Sequence, residues 1–249
     1  MKNQFILLIF SLVFILCIQV DAQWVEIGKL PSTVHDENFI LVSGSNIFCG
    51  TDDGVYLSTD IGTSWTAVNN GLPNNRYVYG LGLIGSKIFA GTGDGFYYST
   101  NNGKNWNIIN TNPPLGVNCL VSSGSDIFAG TENGIYLSTD NGTNWAAVNN
   151  GLPDYPMVTS IVAGGSNIFA EVTYHGVYIS SDNGVSWTSA NNGLPAYIGC
   201  LLAKGSNIFA GTENGIYLST DNGTNWTEMN NGFDIRRPRP DRQRREIEW

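Results

Sequence analysis

The 249 residues carry a formal charge of −9, with 12 Lys and Arg against 21 Asp and Glu. The imbalance is steeper from Gln23 to Asp234, where 17 acids face 5 bases, so the body of the chain repels nucleic acid rather than attracting it. The length suits a single large all-β domain able to enclose a substantial core.

In chain order, Lys2 opens a short positive end, residues 5–20 are almost wholly apolar, and Val20-Asp21-Ala22 ends in small-residue fashion. That pattern predicts a signal peptide over residues 1–22, cleavage before Gln23, and export to the extracellular space or cell surface. An uncleaved anchor is the alternative. Leu16 stands where a lipoprotein signal needs a small residue, which argues against lipidation at Cys17. No later stretch is long and apolar enough to span a bilayer, so no membrane span is expected after cleavage. The three remaining cysteines, Cys49, Cys119 and Cys200, are odd in number and lack metal-ligand spacing, so they read as small buried apolar residues, with a disulfide or a reactive thiol as the alternative.

Five near-copies of one octet then follow: residues 58–65 (STDIGTSW), 99–106 (STNNGKNW), 138–145 (STDNGTNW), 180–187 (SSDNGVSW) and 219–226 (STDNGTNW). Their tryptophans, Trp65, Trp106, Trp145, Trp187 and Trp226, are 41, 39, 42 and 39 residues apart, and Trp24 lies 41 upstream of the first. A period near 40 built of short apolar runs marks a repeat architecture. Residues 120–150 show the unit. Leu120-Val121, Ile127-Phe128-Ala129, Ile135 to Ser138 and Trp145 to Val148 are four strand-like runs separated by Gly-Ser or Asn-Gly turn signals. They predict an antiparallel four-stranded meander whose continuous apolarity reflects covering on both faces. In each octet the glycine supplies positive φ, the Asp or Asn two residues earlier accepts backbone N–H bonds, and the Trp fills the wedge between units.

The pattern Ser-Xaa-Asp-Xaa-Gly-Xaa-Xaa-Trp resembles the Asp-box, or bacterial neuraminidase repeat, of sialidases, xyloglucanases, the sortilin luminal domain and photosystem-assembly-factor-like proteins. The resemblance covers about residues 24–232. It implies a β-propeller of four-stranded blades, with the box on the turn between the third and fourth strands, away from the active face. Asp60, Asn101, Asp140, Asp182 and Asp221 are then structural, and Asn101 fits because an amide keeps the carbonyl acceptor. Residues 24–27 read as a lone outer strand ahead of five full sheets. A closed five-bladed ring is the favoured architecture, and an open part of a larger ring is the alternative. The domain runs from residue 23 to 234, followed by a basic tail, residues 235–249, with six Arg and three acids, read as disordered or as a junction left by truncation.

Candidate chemistry is sparse. The loops expected on the binding face hold Asp52, Asp53, Asp94, Glu132 and Glu213, and the connections between blades supply Arg76, Tyr77, Tyr79, Asp154, Tyr155 and Tyr197. The fourth repeat departs from its siblings. Where others read Ala-Gly-Thr-Glu-Asn-Gly, it has Ala170-Glu171-Val172-Thr173-Tyr174-His175-Gly176, one residue longer. Glu171, Tyr174 and His175, with Arg76, Tyr155 and Tyr197, are therefore the candidate ligand-binding residues. Sialidase activity, by resemblance, needs an arginine triad, and Arg76 is the lone arginine between Gln23 and Asp234. No catalytic residue, metal site or cofactor is indicated. The expectation is a secreted, non-catalytic binding module or scaffold for a protein or carbohydrate partner. A two-carboxylate glycoside hydrolase and a truncated copy of a larger surface repeat protein are the alternatives.

Overall fold

The computed structural model describes residues 30–31, 34, 37–74, 76–109 and 116–231. The expected signal peptide, the strand at 24–27 and the tail at 235–249 lie outside the described residues.

Five sheets of four antiparallel strands follow one another, each in simple sequential order, as the blades of a β-propeller. Blade 1 comprises β1 (Glu37–Ser43), β2 (Asn46–Thr51), β3 (Gly54–Ser58) and β4 (Thr66–Ala67). Blade 2 comprises β5 (Val78–Ile84), β6 (Lys87–Thr92), β7 (Gly95–Ser99) and β8 (Asn107–Ile108). Blade 3 comprises β9 (Val117–Ser123), β10 (Asp126–Thr131), β11 (Gly134–Ser138) and β12 (Ala146–Ala147). Blade 4 comprises β13 (Val158–Gly164), β14 (Asn167–Val172), β15 (Gly176–Ser180) and β16 (Thr188–Ser189). Blade 5 comprises β17 (Ile198–Lys204), β18 (Asn207–Thr212), β19 (Gly215–Ser219) and β20 (Thr227–Glu228).

The inner strands are longer than the sequence suggests and the outer ones shorter. The run Trp145 to Val148 contributes only Ala146–Ala147 as strand. The cause is that the tryptophan serves the neighbouring blade. The Trp187 backbone N–H donates to Asn150 O at 2.9 Å, and its indole N–H donates to Val148 O at 2.7 Å. Trp106 and Trp226 make the same indole bond, to Val68 O at 2.7 Å and Ala190 O at 2.8 Å. Trp145 turns its indole N–H to Gly142 O of its own turn instead.

Strand alternation divides each blade into two unlike faces. Phe48, Phe89, Phe128 and Phe169, all at most 1% exposed, point toward the following blade. Ile88, Ile127, Ile168 and Ile208, with the alanine two residues on, receive them. The next blade's tryptophan completes each of four such clusters. At 150–250 Å² of aromatic surface per Trp, these wedges are a major part of the apolar burial.

The octet turns follow one pattern. The Ser58 hydroxyl donates to Asp60 Oδ1 at 2.8 Å and accepts the Gly62 N–H at 2.8 Å, while Asp60 Oδ1 accepts the Ser64 N–H at 2.9 Å. Asn101 substitutes its amide oxygen for the carboxylate, accepting from Ser99 at 3.0 Å and from the Asn105 N–H at 2.9 Å. Two consecutive residues, not one, have positive φ. Asn102, Asn141, Asn183 and Asn222 lie at 56–60°, each followed by the glycine, and Ile61 at 59° is a β-branched exception in left-handed space. A Cβ on Gly142 would also lie 2.8 Å from Phe89 of the preceding blade, so that glycine is required for packing as well as for φ.

The inner strands pack in series: β1 on β5, β5 on β9, β9 on β13 and β13 on β17. No comparably packed pair joins β17 to β1 among the described residues, so the structure does not show closure of the favoured five-bladed ring.

Candidate functional site

Each inner strand carries one break in register at the same level. The unpaired residues are Asn38, Tyr79, Asn118, Thr159 and Gly199, lying between partners such as Val78 and Gly80. A β-bulge re-aims its extra residue, and a row of them lies across the ends of the inner strands nearest the β2–β3 type turns. Tyr79, expected in a connection, is therefore the bulge residue of β5. Asn118 Nδ2 donates to Val158 O at 3.1 Å, binding β9 to β13, and the Leu201 N–H donates to Ser160 Oγ at 2.9 Å, binding β17 to β13. Tyr77 and Tyr79 stack at 4.8 Å between ring centroids.

Glu171 sits beside this row in β14, where the other four blades carry Gly50, Gly91, Gly130 and Gly211. In blade 3 that position has no room: a Cβ on Gly130 would lie 2.4 Å from Cys119 Sγ and 2.6 Å from Val158. In blade 5 the bulge residue at the same level is Gly199. The Glu171 side chain is 3% exposed and accepts a hydrogen bond from the Thr159 hydroxyl. Burial pushes its carboxyl up to about 7, against the lowering effect of the Thr159 bonds. Burial also raises the Cys119 and Cys200 thiols, and the charge of Glu171 adds to both shifts. Cys119 and Cys200 are free thiols, and Cys49 is buried.

The remaining candidates lie on the surface above. Tyr174 occupies the hairpin between β14 and β15 at φ 65°, 79% exposed, and packs edge-on to Tyr197 at 6.1 Å. Tyr155 precedes β13, 91% exposed at φ 53°. Two bulky aromatics in left-handed space are uncommon, and such strain concentrates at functional sites. His175 is exposed, and its N–H closes the hairpin on Val172 O at 2.8 Å. Arg76 is committed elsewhere: its guanidinium bonds Asp53 Oδ1 at 2.6 Å and Asp53 O at 2.8 Å, and Tyr56 donates to the same carboxylate. The structure thus pairs Tyr174 edge-on with Tyr197, seals Glu171 against Thr159, and ties Arg76 to the blade 1 turn. Thr159 and Asn118 escape sequence reading because a bulge leaves no periodic signature. No cluster of three metal-ligating side chains exists among the described residues. A cleft of about 200 Å³ lies elsewhere, between blades 2 and 3, lined by Lys87, Tyr98 and Asn141.

Comparison with known proteins bears on the repeat. Residues 97–107 match the BNR/Asp-box repeat, and residues 117–240 match the DUF6242 beta propeller domain. The first of these segments contains one of the five octets, residues 99–106. The extracellular domain of a hybrid two-component system from B. thetaiotaomicron superposes with a TM-score of 0.61 at 18% identity, covering 80% of this chain and 34% of that one. An ancestral GH74 enzyme gives 0.64 at 20% identity, over 81% and 32% of the two chains. YCF48 bound to D1 peptide gives 0.58 at 18% identity, over 80% and 69%. The chain spans about a third of the length of the first two structures. No curated protein sequence matches it. At these identities the likeness establishes the propeller fold, which serves binding, enzymatic and assembly proteins alike.

Proposed function

We propose that the chain is an exported binding module whose bulge-side face, centred on blade 4, takes a carbohydrate or protein partner without turning it over. The observation that carries this reading is Tyr174. The one hairpin that breaks the repeat lifts an aromatic ring into solvent, fixes it in left-handed space and sets it against Tyr197. An exposed pair of tyrosines offers apolar ring faces with hydrogen-bonding tips, the chemistry that stacks on sugar rings or anchors a protein hot spot. Export rests on the N-terminal sequence. No helix among the described residues is long and apolar enough to cross a membrane.

A second reading, glycoside hydrolysis, has one observation in its favour: a carboxyl held up to about 7 suits a general acid. Against it, the shift comes from burial with no second carboxylate contributing, and Glu171 is sealed at 3% exposure.

A glycan array read for binding, with the same polysaccharides assayed for released products, separates the two. Binding that weakens tenfold or more in Tyr174→Ala, with unchanged melting temperature and no release, is the expected result. Release of product that vanishes in Glu171→Gln makes the chain an enzyme and overturns the proposal.

A further inference from the structure

The two ends of the blade series carry side chains that match the two sides of the internal blade junctions. At each internal junction the leading blade presents a buried residue after the β3-type glycine (Val55, Phe96, Ile135 or Val177, each 0% exposed). The following blade presents an isoleucine at no more than 1% exposure and a tryptophan at 2–5%. Ile216, the matching residue of blade 5, is half-buried, and Met229, which stands where blades 2 and 4 have Ile109 and Ala190 at 6% and 7%, is 47% exposed. At the other end Ile47 and Trp65 are half-buried where their counterparts are sealed. The polar groups match too. Indole N–H groups of blades 2, 4 and 5 donate to Val68, Val148 and Ala190 carbonyls, so the Trp65 indole and the Met229 carbonyl are the corresponding donor and acceptor. Trp backbone N–H groups likewise donate to Asn70, Asn150 and Asn192, and Asn231 stands in that place after blade 5.

We propose that blade 5 of one copy docks blade 1 of a second copy, rebuilding the blade-to-blade junction between chains. The occupant follows from the faces themselves: Trp65 and Ile47 are what Ile216 and Met229 are shaped by the repeat to receive, and among the described residues β17 does not pack on β1 to the extent that neighbouring inner strands pack on one another. Such a contact is heterologous, so it joins copies head to tail into a ring where the rotation closes and into longer assemblies where it does not.

Light scattering on the full chain at about physiological ionic strength, where charge repulsion between copies is screened beyond roughly 8 Å, tests this. The wild type is expected at twice the chain mass or more. Met229→Asp, a change at an exposed position, is expected to run as a monomer with unaltered strand content, as is Trp65→Ser. Mixed in equal amounts, the two variants are expected to form a one-to-one dimer, because each keeps one intact face. If Trp65→Ser fails to fold, the Met229→Asp result decides alone. A wild type that stays monomeric at tens of micromolar, or a Met229→Asp variant that assembles like wild type, overturns the proposal.

Discussion

Trp187→Ala is expected to lower the stability of the chain by about 3–5 kcal/mol, the range for emptying a buried aromatic site. At roughly 2–4 °C per kcal/mol for a domain of this size, the melting temperature falls by about 6–20 °C. The reason lies in position. Trp187 is 2% exposed in the wedge where Phe128 and Ile135 of blade 3 meet Ile168, Ala170 and Val172 of blade 4. Its indole and backbone N–H groups donate to Val148 O and Asn150 O, both in blade 3. Truncation leaves a cavity and removes the indole donor from Val148 O, while the backbone bond to Asn150 O remains. Trp187→Phe, which fills most of the volume but lacks the N–H, is expected to cost far less. Urea titration followed by circular dichroism measures both variants. A loss for the alanine variant within about 1 kcal/mol of zero would show that the wedges are held by something other than their tryptophans.

Glu171→Gln is expected to stabilise the protein at pH 8 by on the order of 2–3 kcal/mol and to change little near pH 4.5. The sign follows from the direction of the shift. Burial holds the folded carboxyl up to about 7, above the usual carboxylate range near 4.3 in the unfolded chain. Between these values the folded state keeps a proton that the unfolded state has released. Stability therefore falls as pH rises through this window, and the loss is complete above pH 7. Glutamine has no proton to lose and escapes the decline. The octet carboxylates act in a separate window with opposite sign. Asp60 is held down to about 2 by the Ser64 side chain and backbone, Asp140 by the Asn144 backbone and side chain, and Asp182 by Ser186. Their stabilisation is present above the unfolded carboxylate range near 3.9 and lost as pH falls toward 2. Melting temperatures of wild type and Glu171→Gln from pH 4.5 to 8.5 check this. A difference independent of pH, or a glutamine variant less stable at pH 8, contradicts it.

The octet made much of the fold legible. A serine, an aspartate, a glycine and a tryptophan at fixed spacing locate a turn, and five of them in register locate five blades. Each blade's two faces were less visible, because Phe128 and Ala129 are adjacent apolar residues whose opposite orientations appear only once the strand is formed. The tandem left-handed residues were half legible: the glycine announces itself, whereas Ile61 conceals the requirement that the asparagines in the other blades meet with less strain. Of the candidate site, Glu171, Tyr174 and His175 stood out by breaking the repeat. Thr159 and Asn118 did not, since a bulge inserts one unremarkable residue and shifts register without altering composition. Arg76 was conspicuous as an isolated cation, yet its fork is occupied by Asp53, a pairing across 23 residues that no local pattern encodes. Ring closure depends on small rotations summed over every junction, and such angles are not written in any single repeat.

The most direct test of the account is to rewrite residues 171–176 (Glu-Val-Thr-Tyr-His-Gly) as the sibling sequence Gly-Thr-Glu-Asn-Gly and to measure ligand binding by calorimetry beside the melting temperature. On the proposed function, in which the departure serves recognition rather than assembly, the rewritten protein should melt at the wild-type temperature or above and bind at least tenfold more weakly. Full binding by the rewritten protein, or its failure to fold, would contradict the account.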